Sequence, residues 1–305
     1  MNVKHNQQEY IAAKIAQDCL DDLKMSPSID FKDIPNHIIK VKPDLDIQSP
    51  MMNEYLIGCN TFVGYLKTRQ AFKFHPILVH ELASQTTFDF TMNDLHLPYN
   101  DMYFDIQSSH LIVDNKEIVG VYIHDAKDTS QLAIIALVKI DNDRVVLLHA
   151  CLDYSSQLTI SELMPDIEGG YSNEQTLYKV IFSLLSYISS DKPDIKDNGK
   201  QIAFRTHRNK RQPSATRLWT VGYRYVKEYK KILGHEPTID EIKEISKPTP
   251  HNSPRRHLRA AHWHTYLYGP GKSKRKVLWV QACWVGHGNE IDTIHVKEDG
   301  YDNIN

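Results

Sequence analysis

The 305-residue chain has no long apolar stretch. Its longest uninterrupted run, Leu132-Ala-Ile-Ile-Ala-Leu-Val138, falls far short of the roughly 20 residues that cross a bilayer, so no membrane helix is expected. The start, Met1 to Tyr10, lacks the apolar core of a secretory signal and points to the cytosol. Cysteine is scarce: Cys19, Cys59, Cys151 and Cys283 stand singly, without the spacing of a zinc ribbon or the density of a disulfide scaffold. Each reads as a buried small hydrophobe. No Gly-x-Ser-x-Gly elbow occurs, Gly169-Gly170 and Gly286-x-Gly288 lack phosphate-loop context, and His75 and His80 have no zincin spacing. No cofactor and no metal are expected.

Charge is present but unevenly placed. The net of -2 comes from 36 Lys+Arg against 38 Asp+Glu. Residues 1–199 hold 16 basic and 28 acidic side chains, a net of -12, while residues 200–276 hold 19 and 5, a net of +14. Residues 277–305 return to -4, with 1 against 5. Such asymmetry suggests two partners, or one region that meets polyanions and another that meets basic groups or nothing. It divides the chain into an acidic α+β domain at 1–199, a basic, Trp-rich module at 200–288 ending in a β-hairpin, and an acidic tail at 289–305.

Apolar spacing supplies the elements. Ile11, Ile15, Cys19, Leu20 and Leu23 predict a helix that ends before Pro27, and Tyr55, Leu56, Cys59, Phe62, Val63 and Leu66 predict another over 52–73. Between them, Pro27, Pro35, Pro43 and Pro50 predict an extended connection. A short helix is expected over 77–83. Tyr103–Ile106, Ile118–Ile123, Leu132–Ile140 and Val145–Cys151 read as consecutive antiparallel strands, with Asp141-Asn-Asp143 as a hairpin turn. Their near-continuous hydrophobicity implies a sheet covered on both faces. A helix opened by Ser172 and carrying Leu177, Val180, Ile181, Leu184, Leu185 and Ile188 is the natural second cover.

Asp191 to Asn198-Gly199 reads as a boundary. Beyond it come a strand at 218–221, a basic helix at 223–233, and two strands at about 258–268 and 276–285 joined by Gly269-Pro-Gly-Lys-Ser273. All four Trp residues, Trp219, Trp263, Trp279 and Trp284, fall here and suggest a small core of their own. The fold class is therefore α+β, a mainly antiparallel sheet covered by helices plus a smaller basic C-terminal module.

The densest chemistry is Arg255-Arg-His-Leu-Arg-Ala-Ala-His-Trp-His-Thr-Tyr266, followed by Lys272-Ser-Lys-Arg-Lys276. On a strand, His262, His264 and Tyr266 share one face while Trp263 and Thr265 take the other. Asp and Glu are nearly absent from 245 to 289. Cations interleaved with aromatics suit a nucleic-acid surface, where charge neutralises phosphates and rings stack on bases. The expected contact residues are Arg255, Arg256, Arg259, His262, His264, Tyr266, Lys272, Lys274, Arg275 and Lys276. The bland alternative is a solvated basic face over an aromatic core. A sharper one is metal-free RNA cleavage by His257, His262 and His264 with Arg259 and Tyr266, one imidazole acting as base and another as acid. His-x-His also offers two metal ligands, without a nearby Cys or carboxylate to complete a set.

At Arg255-Arg-His-x-Arg, His262-Trp-His-x-Tyr266, Gly269 and Trp279-Val-Gln-Ala282 the chain resembles the type V-A anti-CRISPR proteins that suppress production of the Cpf-type effector nuclease. Leu95-His-Leu-Pro98, Tyr103-x-Asp-Ile106, Leu185-x-Tyr-x-x-Ser-x-x-Pro-Asp-Ile195 and Leu218-x-x-Val-Gly222 extend the resemblance over about 95–285. Arg256, Ala261, Leu267 and Trp279-Val-Gln depart from the family pattern and mark a divergent member. The resemblance implies a binding protein in a bacterial host's cytoplasm that recognises the N-terminal segment of the nascent effector at the translating ribosome and causes loss of its mRNA. No peptide-binding residue is assigned by it. A ribonuclease and a nucleic-acid-binding regulator of a mobile element are the competing functions.

Overall fold

A computed structural model describes residues 3–84, 91–113, 115–139, 145–153, 175–190, 192–201, 215–241, 257–259, 262–280 and 283–285. Its centre is an eight-stranded sheet: β1 (Gln70–Phe74), β2 (Asp101–Asp105), β3 (Ile112–Val113), β4 (Lys116–Ala126), β5 (Gln131–Lys139), β6 (Val145–Asp153), β7 (Ile195–Gln201) and β8 (Thr216–Val221). The order is β6-β5-β4-β2-β1-β8-β7, with β3 against β4. All neighbours are antiparallel except at the middle, where β1 runs parallel to both β2 and β8. The fold is thus the expected α+β class with a mainly antiparallel sheet.

Both faces are covered, as the continuous hydrophobicity of β4 and β5 requires. On one face α1 (Val3–Asp22), α2 (Ile34–Val41) and α3 (Pro50–Thr68) bury Ala16, Leu20, Ile38 and Phe62 against Ala71, Tyr103, Tyr122 and Ile135. On the other, α4 (Pro76–Ala83), α5 (Gln175–Ser189) and α6 (Tyr223–Leu233) bury Leu78, Ile181, Leu185 and Tyr225 against Phe72, Phe104, Val121 and Ile134. Alternate residues of one strand therefore serve different cores, as the two-residue period of a strand dictates. The Asp141–Asp143 turn and Ser172 lie outside the described residues.

Three differences from expectation have local causes. Residues 34–41 form α2, because Pro35 sits in the first turn, where its missing N–H costs nothing, and Ile34 and Ile38 then share the buried side. The second helix stops at Thr68 because Arg69 adopts a left-handed cap with φ 52°, and the chain turns straight into β1. The stretch read as a boundary is the edge strand β7. Its polar Lys196-Asp-Asn-Gly sequence suits an edge, and its register with β8 shifts between Asp197 and Lys200, across Gly199 at φ 78°. The change of charge sign at 199 thus falls inside a strand, and β8 of the basic segment lies inside the main sheet.

The last elements are β9 (His257–Arg259), β10 (His262–Tyr268), β11 (Lys274–Val280) and β12 (Cys283–Val285). β10 and β11 form an antiparallel hairpin, and β9 pairs with β12. The two long strands expected at 258–268 and 276–285 are therefore each broken into two. Three of the four Trp residues join the main core and not a separate one: Trp219, Trp263 and Trp279 pack against the core under α4, α5 and α6. The acidic tail at 289–305 lies outside the described residues.

Candidate nucleic-acid interface

Strand alternation divides the β10–β11 hairpin into two unlike faces. On the inner face, Trp263 meets Trp279 edge-on with ring centres 4.9 Å apart, and Trp279 in turn lies 6.0 Å from Tyr187 of α5 and 6.5 Å from Tyr225 of α6. Two indoles thereby seat the hairpin on the sheet's helical layer. On the other face, His262 and His264 have ring centres 6.4 Å apart, and Tyr266 stands edge-to-face against His264 at 4.3 Å. His264 and Tyr266 are exposed, and so are Leu267, Tyr268, Lys272 and Lys274 toward the tip. The turn closes through Gly269 (φ 82°), Gly271 (φ 63°) and Lys272 (φ 56°), the left-handed geometry for which the Gly-Pro-Gly sequence is suited.

Of the ten expected contact residues, the structure brings His262, His264, Tyr266, Lys272 and Lys274 onto this hairpin. Arg275 and Lys276 stand opposite Leu267 and Tyr266 in the strand register. Arg259, like the catalytic candidate His257, belongs to β9, opposite Cys283 and Val285 respectively. Arg255 and Arg256 lie outside the described residues. No group of three His, Cys, Asp or Glu among the described residues is placed to hold a metal ion. No described helix is long and apolar enough to cross a membrane.

The floor beneath the hairpin is held by polar contacts that no sequence spacing announces. Glu81 of α4 is 1% exposed and accepts hydrogen bonds from the hydroxyls of Tyr225 and Tyr229, the latter at 3.0 Å. Burying a carboxylate is costly unless its oxygens are hydrogen-bonded, so this cluster ties α4 to α6. Asp194 caps α6 in a similar way: its carboxylate accepts from the backbone N–H groups of Arg224 and Tyr225 and from Arg224 Nε at 2.7 Å. A negative charge there also meets the positive end of the helix dipole. Gly222 precedes the helix at φ 87°, where a Cβ would lie 2.6 Å from Leu78. The motifs Pro-Asp-Ile195 and Val-Gly222 therefore serve the anchoring of α6.

A second buried polar pair lies on the opposite face of the sheet. His124 Nδ1 is 2.6 Å from Asp101 Oδ1, with Phe31 over the imidazole at 5.4 Å. Gly64 of α3 makes room for it, since a Cβ there would fall 1.8 Å from Asp101 Oδ1. Cys59 and Cys19 are poor thiolates: burial pushes Cys59 up to about 12 and Cys19 up to about 11. Cys59 is buried and Cys19 half-buried, but Cys151 is exposed on the edge strand β6, contrary to expectation.

The scaffold is thus a mixed sheet between two helical layers, carrying a basic aromatic hairpin. The anti-CRISPR type V subtype A2 family, described as AcrVA2-like, matches residues 72–287. The chain belongs to that family, and this membership supports an anti-CRISPR role against type V-A systems. In fold it is similar to a solved structure titled "Crystal structure of AcrVA2", with a TM-score of 0.56 and 19% identity over 93% of this chain and 98% of that one. No curated protein matches the chain.

Proposed function

We propose that this protein lowers the supply of a type V-A effector by recognising the effector's nascent N-terminal polypeptide and causing loss of the encoding mRNA. The observation that carries the reading is the family match over 72–287, which runs from the middle of the sheet through the hairpin. The charge map supports a division of labour. The acidic 1–199 segment suits a Lys- and Arg-bearing peptide, and the basic segment suits RNA or the ribosome. Two weak sites acting on one translating complex gain avidity from their linkage.

The test separates peptide from message. Effector mRNA is measured in cells expressing the protein, with the effector's first codons either recoded synonymously or shifted in frame. Recoding keeps the peptide and changes the RNA; the frame shift does the reverse. Loss that survives recoding and vanishes on the frame shift is expected. The opposite pattern overturns the nascent-peptide reading and favours direct recognition of RNA.

One observation favours a second reading, metal-free ribonuclease activity: His262 and His264 share a strand face with ring centres 6.4 Å apart. Purified protein that cleaves the mRNA in EDTA, and stops doing so as His264→Ala, would establish it.

A further inference from the structure

The exposed face of the hairpin specifies its ligand more narrowly than charge does. Tyr266, Leu267 and Tyr268 are 45%, 57% and 50% exposed in succession, whereas other exposed apolar residues, such as Phe31 and Ile112, stand apart from one another in the sequence. Burial of large apolar side chains is normally favourable, so Tyr266 and Tyr268, which share one strand face and are held in water there, form a candidate contact surface. Its inner side is occupied: Trp263 and Trp279 are packed against Tyr187 and Tyr225. On the opposite face, His264, Tyr266 and Tyr268 are exposed among the described residues.

The rings on this face are ordered. His264 braces Tyr266 edge-to-face at 4.3 Å, which fixes the tyrosine ring at little entropic cost on binding. Same-face residues of a strand recur about every 6.7 Å, about twice the roughly 3.4 Å rise of stacked nucleotides. Every second nucleotide of a stacked strand therefore matches the repeat of the ring row. Lys272 in the turn and Lys274, directly opposite Tyr268, put exposed ammonium groups beside the ring row. No Asp or Glu occurs from 245 to 289 to repel a phosphate. A duplex hides its base faces inside its stack, whereas unpaired nucleotides offer them to aromatic side chains.

We propose that the His264, Tyr266 and Tyr268 face of the β10–β11 hairpin is a stacking platform for unpaired bases of single-stranded RNA, with Lys272 and Lys274 holding the flanking phosphates. The proposal rests on the reading that the basic segment meets RNA, and it adds the form of RNA and the contacts that select it. Unpaired message and the single-stranded loops of ribosomal RNA present the same chemistry.

The experiment uses the full-length protein and two fluorescent RNAs of equal length, an unstructured 12-mer and a perfectly paired duplex, followed by anisotropy at several salt concentrations. The expected result is at least tenfold tighter binding of the single strand. Tyr266→Ala should weaken that binding about five- to 150-fold, the span of one base–aromatic stack, while Tyr266→Phe should restore it. Lys272→Ala with Lys274→Ala should flatten the log–log salt slope by about 1.4, two phosphates at about 0.7 each. Equal binding of strand and duplex, unchanged by Tyr266→Ala, overturns the stacking platform but leaves an electrostatic RNA site standing. Absence of binding to either RNA overturns both this inference and the RNA reading beneath it.

Discussion

His75 shows how much one residue carries. It stands at the end of β1 and caps α4, its Nδ1 accepting the backbone N–H of Ile77 at 3.3 Å while Tyr223 packs edge-on against the ring. That acceptor exists only in the neutral imidazole, and burial accordingly holds the His75 pKa below the usual value. Burial does the same to His149 on β6. In the unfolded chain both titrate near 6.5. As pH falls through that value the unfolded chain takes up protons that the folded chain resists, so stability present near pH 7 is lost toward pH 5. His75→Asn keeps a capping acceptor and removes the titration. Urea midpoints of this variant should fall less between pH 7 and 5 than those of the wild type, and His75→Ala should lose about 1 kcal/mol at pH 7. An unchanged pH profile in His75→Asn would show that the loss arises elsewhere.

At the scale of elements, the sequence was most legible where one period ran undisturbed. Tyr223–Leu233 was read to its observed bounds because Gly222 and Gly234 punctuate an amphipathic helix, and the strands β2, β4, β5 and β6 followed from short apolar runs. Elements failed to show where another force set the conformation. Pro35 hid α2, the charges of an edge strand hid β7, and β1 hid behind the apolar pattern of α3. For the hairpin, the two-residue period foretold which side chains share a face, but not what the tryptophan face packs against. Tyr187 and Tyr225 lie far from Trp279 in sequence, and only the sheet brings them under it. Trp279→Ala should therefore cost about 3 kcal/mol, the low end for a buried aromatic, since Trp279 is only partly buried. Its Nε1 is buried and has no hydrogen-bond partner among the described residues, so Trp279→Phe loses no bond and should cost less than half as much. Urea denaturation measures both. Equal costs would mean that the indole N–H is satisfied.

For the whole molecule, the charge division and the fold do not share a boundary. Residues 1–199 carry the net of -12 and residues 200–276 the net of +14, yet β1 takes β2 from the first segment and β8 from the second as its parallel neighbours. Val221, Tyr225 and Tyr229 of the second segment belong to the same core as Phe72, Phe104 and Leu185 of the first. Parting the segments would strip Glu81 of the Tyr225 and Tyr229 hydroxyls and uncover the apolar surface of α4 and α5 on which α6 packs, and both losses are destabilising. Removing β8 would also leave β1 as an edge strand, with Phe72 and Phe74 no longer covered by Trp219 and α6. A fragment of residues 1–199 should thus fail to unfold cooperatively in urea and should associate through its new edge, whereas the full chain should show a single transition that includes the tryptophans. A cooperative, monomeric 1–199 fragment would instead establish the acidic segment as a domain in its own right. A single transition would mean that the acidic and basic segments fold as one cooperative unit.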